Sequence, residues 1–342
     1  MTNAEKNQRV VISQVGPSSV LKVLEEPLPA PGPGQVRVRM EAAGVSLGDV
    51  LQRNGLFFAG APAIPYSPGY DVVGVVDAVG PGVDRVRVGE RVAALTIFGS
   101  YSRFLCLAQD EVVGGIPEHL DAAQTVALVL NYTTAYQMLT REVDLKEGQS
   151  ILVYGGSGGV GTALLDLART RGMVAAAAVS RRWHEKLQGQ APLLFDEKDP
   201  DSAERLRRFQ PEGFDAVFDP IGGSHVWKSR QWVKKGGTLV AFGISGAIKP
   251  NGGSDRWEVL RLGLLLAFSK VWPRPRVILS AIDQRVKSQR KLINQDITAL
   301  VDLLARGAIS PQIGATFGLK DARRAHDLLE SRNNVGKIVL VP

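Results

Sequence analysis

Two hydrophobic rhythms divide this chain. Up to about residue 125, apolar positions alternate with polar ones or come in short runs that Gly and Pro interrupt closely. Residues 36–40 read Val-Arg-Val-Arg-Met. That period of two gives a strand with one face in a core and the other in solvent. Residues 72–79 and 91–95 are further strand candidates, and Pro27, Pro29, Pro31, Pro33 and Gly80-Pro81-Gly82 punctuate them. Short strands at this density of turn signals predict a compact β-domain. From residue 126 the rhythm changes: apolar strand-like runs at 151–154, 173–179, 214–219, 237–243 and 277–281 are separated by helical stretches. Such alternation predicts parallel strands joined by crossover helices, hence an α/β fold with a doubly wound sheet. The apolar run 259–268 reads as a helix, 286–295 as an extended loop, 296–305 as a helix and Lys337–Val341 as a closing strand that returns to the first domain. The boundaries expected are 126–283 for the nucleotide domain and 1–125 with 284–342 for the other.

The first strand of the second region runs into Tyr154-Gly155-Gly156-Ser157-Gly158-Gly159-Val160-Gly161, and an Ala/Leu-rich helical stretch follows. Gly156, Gly158 and Gly161 fit the spacing G-x-G-x-x-G. In such a motif the first glycine allows a sharp turn, the second lets backbone approach a pyrophosphate, and the third lets helix and strand pack closely. Glycine is common here, 37 of 342 residues, so the spacing alone says little. The strand before it and the helix after it make it a dinucleotide site, with phosphates on the free N–H groups of the helix N-terminus. The strand that comes next ends in Ser180-Arg181-Arg182, where NAD-binding folds carry an acidic residue for the ribose hydroxyl. A guanidinium binds a 2′-phosphate through paired donors, and a carboxylate would repel it. Ser180 and Arg181 therefore favour NADPH over NADH.

Composition narrows the chemistry. Apolar residues make up 44% and charged residues 22%, ordinary for a soluble globular protein. One cysteine, Cys106, and four histidines leave little material for a disulfide framework or a zinc cluster. No signal-like hydrophobic segment opens the sequence and no apolar run reaches the roughly 18 residues that span a bilayer, so a cytoplasmic location is expected. The net charge of +7 is concentrated partly in 256–290, which lacks the interleaved aromatics of a single-strand binder. Solvated basic faces, and attraction of an anionic cofactor, account for it without specific nucleic-acid binding.

Several segments then act in combination: Gly44-Val45-Ser46-Leu47-Gly48-Asp49 ahead of Arg53-Asn54-Gly55; Pro68-Gly69-Tyr70-Asp71-Val72-Val73-Gly74; Val88-Gly89-Glu90-Arg91-Val92; Asn131-Tyr132-Thr133-Thr134-Ala135-Tyr136; Gly236-Gly237-Thr238-Leu239-Val240; and Gly336-Lys337-Ile338-Val339-Leu340. Over nearly its whole length the chain resembles the zinc-independent quinone oxidoreductases of the medium-chain dehydrogenase/reductase superfamily. The resemblance implies a GroES-like β-barrel catalytic domain, a Rossmann domain, an active cleft between them, NADPH and a homodimer. It places Gly156, Ser157, Gly158, Gly159 and Val160 at the pyrophosphate. It places Asn131 and Thr134 near the nicotinamide, and Phe242, Gly243 and Ile244 at its carboxamide. The zinc-dependent relatives have a catalytic cysteine where this chain has Ser46, so metal-assisted alcohol oxidation is disfavoured and no metal ligand is expected.

The departures from the family pattern bear on the substrate. Many members have Asn at the position of Ser46 and Tyr at that of Leu51, and related enoyl-thioester reductases carry a proton-donating Tyr where this chain has Phe57. The reaction expected is hydride transfer to a quinone or an enone, with Ser46, Tyr66 and Thr134 as the candidate catalytic side chains. Ser46, a backbone N–H or water would meet the negative charge that develops on oxygen, with the proton coming from water. The alternatives are an enoyl-thioester reductase, or an NADPH-binding protein without turnover, since some relatives are lens crystallins or RNA- or vesicle-associated proteins.

Overall fold

The computed structural model describes residues 5–57, 60–247, 255, 257 and 275–342. The chain divides into two compact units, one taking it to Thr133 and from Asp283 onward, the other lying between these points in the sequence. The apolar run 259–268 and most of the basic stretch 256–290 fall outside the described residues.

In the first unit, β1 (Lys6–Ile12) and β2 (Leu21–Pro27) form an antiparallel hairpin. The larger sheet collects β3 (Gln35–Val45), β4 (Asp71–Val79), β5 (Arg91–Leu95), β6 (Phe104–Ala108) and β7 (Val112–Val113). It is completed by two strands from the far end of the sequence, β14 (Ile313–Gly318) and β15 (Lys337–Val341). Among the described residues the order is β14-β15-β3-β4-β5-β7, with β6 also paired to β3. Every pair is antiparallel except β14 with β15. The alternation at 36–40 does what it predicts. Val36, Val38 and Met40 are at most 1% exposed and join Val72, Val76, Tyr101 and Leu340 in one core. Arg37 points the other way, and its guanidinium forks onto Asp77 at 2.9 and 3.0 Å.

Three helices of this unit come from the later sequence: Ile282–Ser288, Arg290–Ala305 and Ala322–Ser331. Residues 286–288 and 290–295 are thus helical, with a break at Gln289, rather than an extended loop. The reason is a three-to-four spacing of buried positions, Ile293, Ile297, Leu300 and Leu304, that begins one turn earlier than its polar start suggests. Arg290 is bound inward, donating to the Leu95 carbonyl at 2.6 Å and pairing with Glu111 at 3.3 Å, so this part of the basic stretch is an anchor.

The second unit holds β8 (Ser150–Val153), β9 (Val174–Ala178), β10 (Leu193–Phe195), β11 (Phe214–Asp219), β12 (Val233–Ala241) and β13 (Arg276–Leu279). All pairs are parallel, in the order β10-β9-β8-β11-β12-β13. β8 and β11 are buried at every position, as strands covered on both faces must be. Helices Gly159–Thr170, Ser202–Phe209 and His225–Arg230 make crossovers. This is the doubly wound Rossmann order, and the strand sequence reverses between β8 and β11, where such sheets bind nucleotides at their carboxyl edge.

Candidate functional site

The carboxyl edge of the parallel sheet gathers most of the residues expected to hold a cofactor. After β8 the chain turns through Gly155, whose φ of +64° is a left-handed conformation. The sharp turn therefore belongs to Gly155, not to Gly156, the first glycine of the motif. Gly156 instead lies so close to β9 that a Cβ would stand 2.9 Å from the side chains of Ala177 and Val179. Gly161 meets its expectation of close packing: a Cβ there would run into the Gly155 carbonyl and lie 2.9 Å from Gly156 Cα. Gly158 is the exposed N-cap of helix Gly159–Thr170, and no side chain caps this end. The first N–H groups of the helix and its partial positive charge are left for an anion. Ser157 and Val160 are half-buried beside them.

Ser180 and Arg181 follow β9 and are exposed. Arg181 does not stand free: its guanidinium donates to Asp199 at 2.8 Å and its backbone N–H to Asp196 at 2.9 Å. Both aspartates come from the segment after β10, so acidic groups stand at this corner although none ends β9. Hydrogen bonds from the Lys198 and Arg181 backbones hold the Asp196 carboxyl below the usual carboxylate range. The signal was in the sequence, as the acidic cluster Asp196, Glu197, Asp199 and Asp201. Its placement depends on β10 pairing with β9.

Phe242, Gly243 and Ile244 leave the end of β12 half-buried. Their loop is fastened to the loop after β11 by Phe242 N–H to Asp219 O, Ser245 N–H to Pro220 O and Gly246 N–H to Ile221 O, at 2.9–3.0 Å. At the end of β11 sits a group the sequence reading did not weigh. His225 lies between two carboxylates, Nδ1 2.8 Å from Asp219 and Nε2 3.0 Å from Glu197. Ser229 donates to the same Asp219 oxygen at 2.6 Å, and Tyr154 meets the imidazole edge-to-face at 4.6 Å. Burial pulls the imidazole pKa down, but hydrogen bonds to Asp219 and Glu197 outweigh it and raise the pKa to about 9. At neutral pH His225 is a cation that ties the ends of β10 and β11 together. A separate cavity of about 330 Å³, lined by Arg169, Met173, Ala175 and residues 189–192, opens at the opposite, amino end of β9.

The remaining candidates are spread along the chain. Asn131 lies buried in a wide π-type turn, Leu128–Tyr132, of the first unit. Thr134 lies buried in the short helix Thr133–Gln137, where the second unit begins. Tyr66 is 7% exposed, packs in the first unit's core and meets Phe98 edge-to-face at 5.7 Å. Burial raises its phenol pKa, which makes it a poorer acid. Phe57 meets both Phe98 and Tyr70 edge-to-face in the same aromatic group.

Ser46 caps helix Leu47–Arg53 in a capping box. Its Oγ donates to Asp49 Oδ2 at 2.8 Å, and the Asp49 N–H donates back to Oγ at 3.3 Å. Asp49 is wholly buried and also accepts from the Ser46 N–H, the Gly69 N–H and the Tyr101 hydroxyl. Burial pushes its carboxyl up to about 7, against hydrogen bonds from Ser46 that lower it.

Two family models match the chain: "Alcohol dehydrogenase GroES-like domain" over residues 32–127 and "Zinc-binding dehydrogenase" over residues 189–340. The "Synaptic vesicle membrane protein VAT-1 homolog" of Mus musculus is 31% identical over 346 residues, with 97% of this chain and 83% of that protein covered. The Danio rerio homolog is 32% identical, and the chain spans 65% of its length. The Homo sapiens "Quinone oxidoreductase" is 28% identical over the whole of both chains. The chain belongs to the quinone oxidoreductase family of the medium-chain dehydrogenase/reductase superfamily. Among solved structures, a mycobacterial protein complexed with NADPH superposes with a TM-score of 0.82 at 27% identity, covering 98% of this chain and all of that one. The barrel of the first unit is accordingly GroES-like. Among the described residues no three His, Cys, Asp or Glu side chains are placed to hold a metal, and Ser46 is engaged as a helix cap. No described helix is long and apolar enough to cross a membrane.

Proposed function

We propose that this protein is an NADPH-dependent oxidoreductase that reduces a quinone or an α,β-unsaturated carbonyl without a metal. The observation that carries the reading is the exposed glycine turn before an uncapped helix, with Ser180 and Arg181 at the end of the adjacent strand. The NADPH complex of the mycobacterial neighbour supports it. NADPH, when bound, supplies a hydride. Gly156, Ser157, Gly158, Gly159 and Val160 hold its pyrophosphate, with the helix N–H groups as donors. Ser180 and Arg181 hold the 2′-phosphate, and Arg181 exchanges its bond to Asp199 for it. Phe242, Gly243 and Ile244 hold the carboxamide through backbone groups, and Asn131 and Thr134 border the nicotinamide. Ser46 meets the substrate oxygen as negative charge develops there. Tyr66, buried in aromatic packing, shapes the pocket wall. Leu51 keeps that surroundings apolar, which suits a flat, weakly polar quinone or enone.

The test is NADPH oxidation against a panel of quinones, free enones and enoyl thioesters, beside direct measurement of NADPH binding. Turnover of quinones or enones is expected. Turnover of thioesters alone shifts the reading to enoyl-thioester reduction, and tight binding without any turnover shifts it to a non-catalytic cofactor binder. The absence of a phenol at Leu51 and Phe57 is what favours keeping this last outcome in view. A cytoplasmic homodimer goes with the main reading, and light scattering on the purified protein measures its mass.

A further inference from the structure

Hydride transfer leaves a negative oxygen on the substrate that needs a proton, and the first unit contains a built-in source. Asp49 is fully buried, yet one of its oxygens, Oδ2, is 2.8 Å from the hydroxyl of Ser46, which is half-buried and in reach of solvent. Behind it the chain of contacts runs inward. Tyr101 donates to Oδ2 at 3.3 Å, and His326 Nε2 lies 3.1 Å from the Tyr101 oxygen. Since the Tyr101 proton goes to Asp49, Nε2 carries its own proton and donates to Tyr101. That leaves Nδ1 of His326 as the bare acceptor, and it has no hydrogen-bond partner among the described residues. Burial, then the Arg53 charge, lowers the His326 pKa to about 3, so the imidazole is neutral. Among the described residues this chain of contacts is closed at its inner end and opens at Ser46.

We propose that Asp49 and Ser46 form a proton relay, in which Asp49 stores the proton and the Ser46 hydroxyl delivers it to the carbonyl oxygen of the reduced substrate. This rests on the reduction proposed above and replaces water as the immediate proton source. The atoms balance as follows. The substrate gains hydride at carbon, and the electron pair moves to its oxygen. The Ser46 O–H bond breaks as the substrate O–H bond forms, while the Asp49 O–H bond breaks as the Ser46 O–H bond is restored. Asp49 is left a carboxylate and regains a proton from water through Ser46 after product leaves. The geometry changes sense with the charge. With Asp49 ionised, the Ser46 proton points back to Oδ2, as the 2.8 Å contact has it. With Asp49 protonated, the acid donates to Oγ and the serine proton is released outward. The groups around Asp49 set its balance. Asp71 on β4 disfavours its charge, and Lys337 on β15 favours it. Tyr101 donates to it; Tyr66 and Tyr70 feel its charge, and Arg53, paired with Glu330, lies on its own helix. A pKa near neutrality keeps both forms populated at working pH, as a proton donor requires.

The test combines two readouts on the whole protein. Infrared difference spectra, wild type minus Asp49→Asn, titrate the buried carboxylic acid without any turnover; a protonated Asp49 that ionises around neutral pH is expected. Steady-state reduction of the best quinone or enone is then followed against pH. The wild-type kcat falls as pH rises through about 7, and D49N loses that inflection and on the order of a hundredfold of kcat on its acid side, with KM little changed. Tyr101→Phe removes a donor to the ionised form and moves the inflection up by on the order of one pH unit. Because D49N removes a buried hydrogen-bond centre, Ser46→Ala and Ser46→Thr make the second arm: S46A loses the same limb with Asp49 in place, and S46T restores it. An Asp49 ionised throughout the acid range, or D49N and S46A variants that fold and keep the wild-type profile, would overturn the relay while leaving the reduction standing. Failure of wild type to turn over any quinone or enone removes the reaction itself, and the relay with it.

Discussion

Replacing Lys337 with Met disturbs the first unit at one point. Lys337 opens β15 and Asp71 opens β4, and Nζ–Oδ2 is 2.7 Å with side chains at most 1% exposed. Gly44 of β3 leaves the room, since a Cβ there would collide with the ammonium end of Lys337 and with Asp71. Burial already pushes the Asp71 carboxyl up, and the Lys337 charge restrains that rise. In K337M the restraint is gone, and an unpaired buried carboxylate costs about 3–5 kcal/mol. The sign with pH is fixed by the direction of the shift. A carboxyl with a raised folded-state pKa is tolerated below its unfolded value and destabilises progressively as pH rises, so the loss is largest above the raised pKa and shrinks as pH falls toward the unfolded value of about 3.9. Tryptophan fluorescence does not read this event, because all five tryptophans, residues 183, 227, 232, 257 and 272, lie in the part of the sequence assigned to the second unit. Amide hydrogen exchange in β3, β4 and β15 does. Opening free energies in those strands should drop by about 3–5 kcal/mol in K337M. The double variant D71N/K337M should recover most of that, having no charge left to strand. A loss under about 1 kcal/mol, or a double variant no better than the single, refutes the account.

Three further outcomes are expected. Gly161→Ala forces a Cβ into the backbone of the glycine turn; NADPH binding should weaken at least tenfold by titration, with about 1–3 kcal/mol lost from the second unit's stability. Arg181→Ala should lower the ratio of kcat/KM for NADPH over NADH by roughly tenfold, and Asp199→Asn should raise it by releasing the guanidinium; unchanged ratios in both would remove this corner from cofactor choice. His225→Gln should destabilise the second unit by at most about 3 kcal/mol at neutral pH, read by tryptophan fluorescence during urea unfolding. His225's pKa is raised, so its contribution is full below about pH 6.5 and disappears as pH climbs through about 9.

The sequence showed the second unit's sheet more plainly than the first unit's edges. Phe214–Asp219 coincides with its apolar run, because strands buried on both faces cannot hide their composition. β1, β2, β6, β7, β10 and β14 were not foreseen. Lys6–Ile12 is half polar and β14 has no fully buried position, so neither carries a strong period of two. At the candidate site, the glycine turn and the Ser180-Arg181 corner were legible as local patterns. Which of its glycines turns was not, since a left-handed φ at Gly155 follows from where the strand ends. Asp199 beside Arg181, Glu197 and Asp219 around His225, and Tyr101 behind Asp49 are meetings across 6 to 52 positions that only strand order creates. Asp49 lies in the Gly44–Asp49 segment, where a buried aspartate bonded to backbone is the default reading, but its hold on the Ser46 hydroxyl needed the fold.

The return of β15 to β3, with Ile338 opposite Val45, gives the chain a built-in order of assembly. A ribosome releases β3 and β4 long before their neighbour exists, and all six strands of the Rossmann sheet emerge in between. The parallel sheet can fold as a continuous segment, while the barrel waits with an open strand edge and with Asp71 unmatched until Lys337 appears. A nascent chain stalled before residue 337 therefore carries a finished nucleotide domain beside an unfinished barrel, exposed to edge-to-edge pairing with other chains.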